Sequence, residues 1–497
     1  VRSDRWLTEE LLLLLKVGQY DKRNFTDGKA ATLDFTNPDA ISQQVEVLKE
    51  PSELSGYLDN DGWLFRRLRA LVQYHPPLYY VLIAGVHTLL SHQSILIRLL
   101  AGRWISVGFA LVSVWAAYWI GARLWPRSRG RPLLLGLLVA FQPMHSFMTS
   151  VVNNSALEIA LFALFLLVVL QAVDCKVTLT VGVQLGFIVG LGLLTRISFL
   201  ISLPILGLLM LWHMGTHVSD RSWGRMILLW VIVAGLSVLP SSWWYLDKIP
   251  GAGRVLVDTF RAGAPTHDIP LVPYLVRYGW LTIYRNVLRM YWGNFGWLDT
   301  PIPDSLGTIL SLLTVIASWS CGWWLVRNAM AWRDRESRAT VFKFALLGLA
   351  TLALVAFYTY LDYRFVRREG RGFHIQGRYF LPPIAGQMAW MLLGLSVAVP
   401  LRLQKLWRWL MGVGMVTLNG YALYGVIVPR YYPAKTLTDF LQQAALLQPI
   451  GPGGLKALMI AQFLAIGLLL VALWRQEHSA LVSSSPSDDR HSTFAPN

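Results

Sequence analysis

Apolar residues along the chain gather in runs of roughly 17 to 24 rather than recurring with a helical period of 3.6 or a strand period of 2, and runs of that length are membrane spans. The pattern predicts spans at 99–124, 132–152, 156–173, 178–195, 197–212, 226–246, 307–327, 341–360, 379–400, 406–428 and 457–474. That is about eleven helices, and it predicts an all-α, polytopic membrane protein. The segment HPPLYYVLIAGVHTLL from His75 is apolar but short, and its paired prolines suit a helix start. It reads as a juxtamembrane helix in the outer interface or a partial insertion; a full crossing would invert every later side.

The loops set the sides. RLWPRSRGR from Arg123, RNAMAWRDRESR from Arg327 and RLQKLWR from Arg402 are strongly basic. At this span count all three share one side, which the positive-inside rule makes cytoplasmic. The same parity puts 1–98, 247–306, 361–378 and 429–456 outside. The short segment 361–378 is as basic as the inner loops, with Arg364, Arg367, Arg368, Arg371 and Arg378, and is read as an anion site on the outer face. The expected organisation is a first outer loop with juxtamembrane helices (1–98), a membrane bundle in two halves (99–246 and 307–474), a large aromatic outer loop (247–306) and a disordered cytoplasmic tail (475–497). In 1–98 the only apolar run is Leu11 to Leu15, and the chain starts at Val1. A signal-anchor span is therefore expected upstream, bringing the count to about twelve.

Composition agrees with this class. Of 497 residues 55% are hydrophobic and 14% charged, against about 25% charged in soluble domains. The formal net charge of +16 raises nucleic-acid binding, but the arginines lie in short inter-span loops without a basic helix or an RNA-reading aromatic motif. Nucleic acid is excluded as a partner, and the lipid bilayer is the expected one. Cys175 and Cys321 lie at the ends of apolar runs without partner spacing, so neither a disulfide framework nor a zinc site is available. No signal for oligomeric state is present.

The spans hold few ionisable groups, mainly Arg196, His145 and Lys343, while charge and hydrogen-bonding capacity gather outside. A transporter more typically keeps ionisable residues near the midplane, so the distribution points to a site at the outer membrane surface. The loop 247–306 is aromatic throughout, and two readings fit it. Its rings sit at headgroup level on an interfacial helix, or Trp292 and Trp297 of YWGNFGWLD stack on sugar faces while Asp299 or Asn294 bonds hydroxyls. In HIQGRYFLPP, Gly377 permits close backbone approach, and the Arg378 guanidinium sits where a span emerges. A planar fork of donors there holds a phosphate at headgroup depth, or the side chain snorkels to lipid phosphate. Arg196, in GLLTRISF between two short spans, lies on the same side with the same two readings.

HPPLYY in an early outer segment, Asn153 and Asn154 where a span emerges, YWGNFGWLDTPIP in the large loop and QGRYFLPP opening a late span together resemble a bacterial family of predicted multi-pass membrane proteins of unknown function. That family is grouped with the GT-C glycosyltransferases, relatives of protein mannosyltransferases and aminoarabinose transferases, and the likeness covers nearly the whole chain. The resemblance implies a GT-C-like bundle in the bacterial cytoplasmic membrane that transfers a sugar, with inversion, from a polyprenyl-phosphate carrier to a cell-envelope glycan or protein on the outer face. It implies donor-phosphate binding by Arg378, Arg196 and His75, and substrate binding by Asn153, Asn154, Trp292, Trp297, Asp299 and Gln376. Such families carry an acidic motif after the first span, Asp-Glu and then His three residues on, serving as base or metal partner. Here Asp4 matches the Asp, while Arg5 replaces the Glu and Thr8 the His. Asp4 is the first catalytic candidate, with Asp59 and Asp61 of YLDNDGW in reserve. Metal use is open, since the sequence indicates none. The rival reading is a non-enzymatic or transport protein that binds lipid-linked glycans.

Overall fold

The structure, a computed structural model, describes residues 75–175, 177–216, 223–247, 267–276, 287–296, 298–330, 335–370, 372, 375–432, 434–446 and 448–479. The protein is an all-α polytopic membrane protein. In chain order its helices are α1 (Leu78–Leu89), α2 (Ile95–Leu124), α3 (Gly130–Ala140), α4 (Pro143–Thr149), α5 (Ser155–Asp174), α6 (Leu179–Leu193), α7 (Ser202–Thr216, entered through a 3-10 turn, Ile197–Ile201) and α8 (Trp223–Asp247). They continue with α9 (Leu271–Tyr274), α10 (Arg289–Gly293), α11 (Asp304–Met330), α12 (Arg335–Glu369), α13 (Ile384–Val397), α14 (Gln404–Gly420), α15 (Val428–Tyr431), α16 (Leu437–Leu446) and α17 (Pro452–Ser479). A two-strand antiparallel ladder, β1 (Asn294–Phe295) with β2 (Thr300–Pro301), pairs Asn294 with Pro301 and Phe295 with Thr300.

Each predicted span corresponds to helix. Among the described residues eight helices are long and apolar enough to cross a membrane, or nine if α3 and α4 form one span bent by 60°, and Leu78–Leu89, Leu179–Leu193 and Ile384–Val397 are shorter apolar helices. The bend has a local cause. Gln142 is extended, its side chain caps His145 N–H at 2.5 Å, and Pro143 opens the new helix. The segment 361–378, expected as a loop, is helical as far as Glu369. Nothing in LDYRFVRRE breaks a helix, and termination waits for Gly370, whose φ of 71° suits a glycine and whose N–H caps Val366 C=O at 2.8 Å.

Packing holds the bundle without a water-driven core. α5 is the central helix, almost wholly buried. α6 lies on α8 through Gly182, Gly186 and Gly190: a Cβ at these positions would come within 2.5, 2.7 and 2.5 Å of Leu229, Leu236 and the Leu236 carbonyl. Spacing of four places the three on one helix face, so the two backbones approach as only glycine permits.

Ion pairs identify one end of the bundle. Arg127 reaches Glu336 at 3.9 Å, Lys343 and Arg123 meet Asp174, and Arg408 donates through Nε and Nη2 to Glu477 at 3.0 and 2.7 Å. Arg131 stands beside that last pair. The three basic loops are thus at one end, and Arg196 and Arg378, at the opposite ends of their helices, lie at the other.

Candidate functional site

The site grows from the start of α1. Leu78 N–H donates to Leu194 C=O at 3.0 Å, tying the HPP head to the linker that carries Arg196. Tyr79 points inward and shares a hydrogen bond with Ser106 of α2 at 2.9 Å. His75 then lies near Arg196 with its ring 6.5 Å from that of Tyr80; burial, and secondarily the Arg196 charge, push the imidazole down to about 4. At neutral pH His75 is uncharged, so it offers hydrogen bonds and no cation.

Arg196 is clamped. Its Nη1 donates to Ser155 Oγ at 2.8 Å and to Glu158 at 3.1 Å, and Ser198 Oγ donates to the other Glu158 oxygen. Glu158 is 1% exposed, so the pair is buried and mutually neutralising. The Arg196 guanidinium lies 5.4 Å from the Tyr379 ring, and that of Arg378 lies 5.9 Å from the same ring. Tyr379 stacks on Tyr358 of α12 at 5.3 Å and 22°. Among the described residues Arg378 meets no carboxylate; burial lowers its pKa, yet a guanidinium so placed stays charged. Two arginines share one ring, and among the described residues only Arg196 is paired with a carboxylate.

Gly377 fixes the position of Arg378. A Cβ there would lie 2.1 Å from Tyr291 N, so the turn Gly377–Phe380 is pressed against the backbone of α10 as a glycine alone allows. Tyr291 is itself tied down, its carbonyl accepting from Gln142 at 2.6 Å and its hydroxyl donating to Gln387 at 2.7 Å. At this end of the bundle three buried amide atoms have no hydrogen-bond partner among the described residues: Asn154 Nδ2 at the start of α5, Asn294 Oδ1 in β1 and Gln376 Oε1 beside Gly377. An unmet buried polar atom is costly.

The expected site residues divide accordingly. His75, Arg196, Arg378, Asn154 and Gln376 come together at one end of the bundle. Asn153 caps α5, its Oδ1 accepting from Ser155 N–H at 2.8 Å. Two expectations need correction. Trp292 is fully buried and its indole N–H donates to Thr314 at 3.0 Å, which leaves no ring face for a sugar. Asp299 accepts from Arg430 at 3.4 Å and from Thr300 at 3.3 Å with its side chain 5% exposed; it pins the β1–β2 turn to α15. Asp4, Asp59, Asp61 and Trp297 lie outside the described residues, among which no group of three or more His, Cys, Asp or Glu stands ready for a metal. Glu158 and Asp362 were not singled out by the sequence reading. The signal for Glu158 was a carboxylate in the apolar run SALEIALF, four residues beyond Asn154.

A family model described as "Predicted membrane protein (DUF2142)" matches residues 55–386. No curated protein matches the chain. Among solved structures the chain is similar to ArnT from Cupriavidus metallidurans in the apo state, at 14% identity and a TM-score of 0.37 over 81% of this chain and 67% of that one. It is similar to the same protein bound to undecaprenyl phosphate, at 14% and 0.39 over 82% and 68%. It is also similar to the Archaeoglobus fulgidus oligosaccharyltransferase, at 13% and 0.38 over 76% and 48%.

Proposed function

The chain belongs to the DUF2142 family of predicted membrane proteins, and we propose that it is a membrane glycosyltransferase that moves a sugar from a polyprenyl-phosphate donor to a cell-envelope acceptor. The observation that carries this reading is the Arg196–Tyr379–Arg378 group. Glu158 neutralises Arg196, and among the described residues no carboxylate meets Arg378, which supports a role for its charge in holding an anion from outside the protein. A phosphate at headgroup depth fits such a fork, and leaving-group charge that develops on it is stabilised where it forms. His75, uncharged, adds a hydrogen bond to the same phosphate. The orphan atoms of Asn154, Asn294 and Gln376 supply one donor and two acceptors, a set that sugar hydroxyls satisfy because each hydroxyl both donates and accepts.

We infer that this end faces the outside of a bacterial cytoplasmic membrane, because the three basic loops lie at the other end. A lipid-linked donor then keeps its phosphate at Arg378 while its sugar projects outward. The test is retention of polyprenyl phosphate by purified protein in micelles. Arg378→Lys keeps the charge and loses the bidentate fork, so affinity falls at least tenfold, and Arg378→Ala falls further. Unaltered binding by Arg378→Ala would sink the assignment. Binding without sugar transfer by the wild type would favour a carrier of lipid-linked glycans over an enzyme.

A further inference from the structure

We propose that Asp362 is the base that takes the acceptor's proton, and that Tyr274 occupies the acceptor hydroxyl's place in this structure; the inference rests on the transferase reading. Asp362 is a fully buried carboxylate on α12, and the Tyr274 hydroxyl donates to its Oδ2 at 2.6 Å. An O–H held by a carboxylate at that distance is the geometry a hydroxyl acceptor adopts against a general base.

The placement is right for transfer. Tyr358, which stacks on Tyr379 beside both arginines, precedes Asp362 by one helical turn, so the two share a face of α12. α12 runs from the basic end toward the site, so the carboxylate stands about 6 Å beyond the tyrosine pair, on the outward side. Gly372, where a Cβ would lie 3.5 Å from Asp362 Oδ1, begins the stretch that ends at Arg378. The carboxylate therefore lies about one helical turn along α12 from the tyrosine pair that both guanidinium groups adjoin.

Tyr274 is held there by a short segment clasped to the same helix. Tyr363 donates to Ile269 C=O at 3.0 Å, His267 N–H to Arg367 C=O at 3.0 Å, and Arg367 meets Asp268 at 3.7 Å. Burial and then the Asp362 charge raise the Tyr274 pKa, so the phenol stays a donor and never competes for the proton. In this proposal the acceptor hydroxyl takes the place at Asp362 Oδ2 that the Tyr274 hydroxyl holds here. In the step proposed, the acceptor O–H proton passes to Asp362 and the acceptor oxygen bonds to the anomeric carbon. The bond from that carbon to the phosphate oxygen breaks, and its electron pair leaves on the phosphate at Arg378. Asp362 then releases the proton to water.

The experiment uses the full chain in membranes, with a radiolabelled hexose on polyprenyl phosphate as donor and envelope material as acceptor. Asp362→Asn keeps an oxygen for Tyr274 to donate to, so fold and donor binding persist while transfer falls by roughly 10²–10⁴. Tyr274→Phe removes the competing hydroxyl, and transfer is retained with the acceptor KM lowered by up to about tenfold. A purely structural pair would instead lose stability and transfer together in both variants, and that result overturns the proposal. Full transfer by Asp362→Asn overturns it while leaving the transferase reading in place. Absence of transfer by the wild type removes both.

Discussion

His75 shows how a single side chain reports the state of the site. Its imidazole is held down at about 4 by burial and by Arg196, against about 6.5 in an unfolded chain. Between these values the unfolded state binds a proton that the folded state refuses, so stability is complete above about pH 6.5 and declines as pH falls toward 4. The loss from this group is on the order of 2–3 kcal/mol. Thermal unfolding in detergent micelles shows a midpoint that drops across this window in the wild type and a flatter profile in His75→Gln; equal slopes would mean that His75 is not buried against Arg196. Its neighbour Gly377 obeys steric terms alone. Gly377→Ala drives a methyl into the Tyr291 backbone, costs about 1–3 kcal/mol and shifts Arg378, so a lowered unfolding midpoint together with weakened phosphate binding is the expected result. The role of Gly377 was legible in QGRYF because a glycine before a functional arginine means close backbone approach. Trp292 was not, since an aromatic in a membrane-edge loop reads alike whether it stacks on ligand or fills the core. Its full burial and its hydrogen bond to Thr314, made across 22 residues, decide between them.

At the scale of elements, the spans were readable because run length is a direct consequence of bilayer thickness. Two elements escaped that reasoning. The extension of α12 away from the basic end carries YRFVRRE, whose arginines read as loop although each can lay its stem along the helix: Arg364 packs over Tyr360 and Arg367 over Tyr363. The α6–α8 contact was hidden because glycines in an apolar run lower no hydropathy signal. They nonetheless set the helix distance. Gly186→Leu has no free space to enter, with Leu236 and the Val233 backbone within 3.2 Å of the new Cβ. Loss of the folded, monodisperse protein on size-exclusion chromatography is expected, while Gly207→Leu in α7, where nothing lies within 4 Å, behaves as wild type. Indistinguishable elution of the two variants would refute the packing argument.

For the whole molecule the two ends differ in kind. Among the described residues, one gathers compensated ion pairs that join loops, and the other gathers two arginines with one carboxylate between them, three amide atoms without a partner and a buried acid. Orientation follows from the first of these, and impermeant thiol labelling in intact cells reads it. Cys175, exposed at the basic end, stays unlabelled, whereas a cysteine at Asp268, whose side chain is 96% exposed, is labelled; the reverse pattern would place the site in the cytoplasm. The basic end also has a history in time. Arg408 is buried against a carboxylate that arrives 69 residues later, Glu477 on α17. During synthesis Arg408 therefore enters the bilayer edge before this counter-ion exists, at an energetic disadvantage that the arrival of α17 relieves. A ribosome that stops short of Glu477 leaves behind a bundle marked by unneutralised charge, which is the kind of defect membrane proteases find.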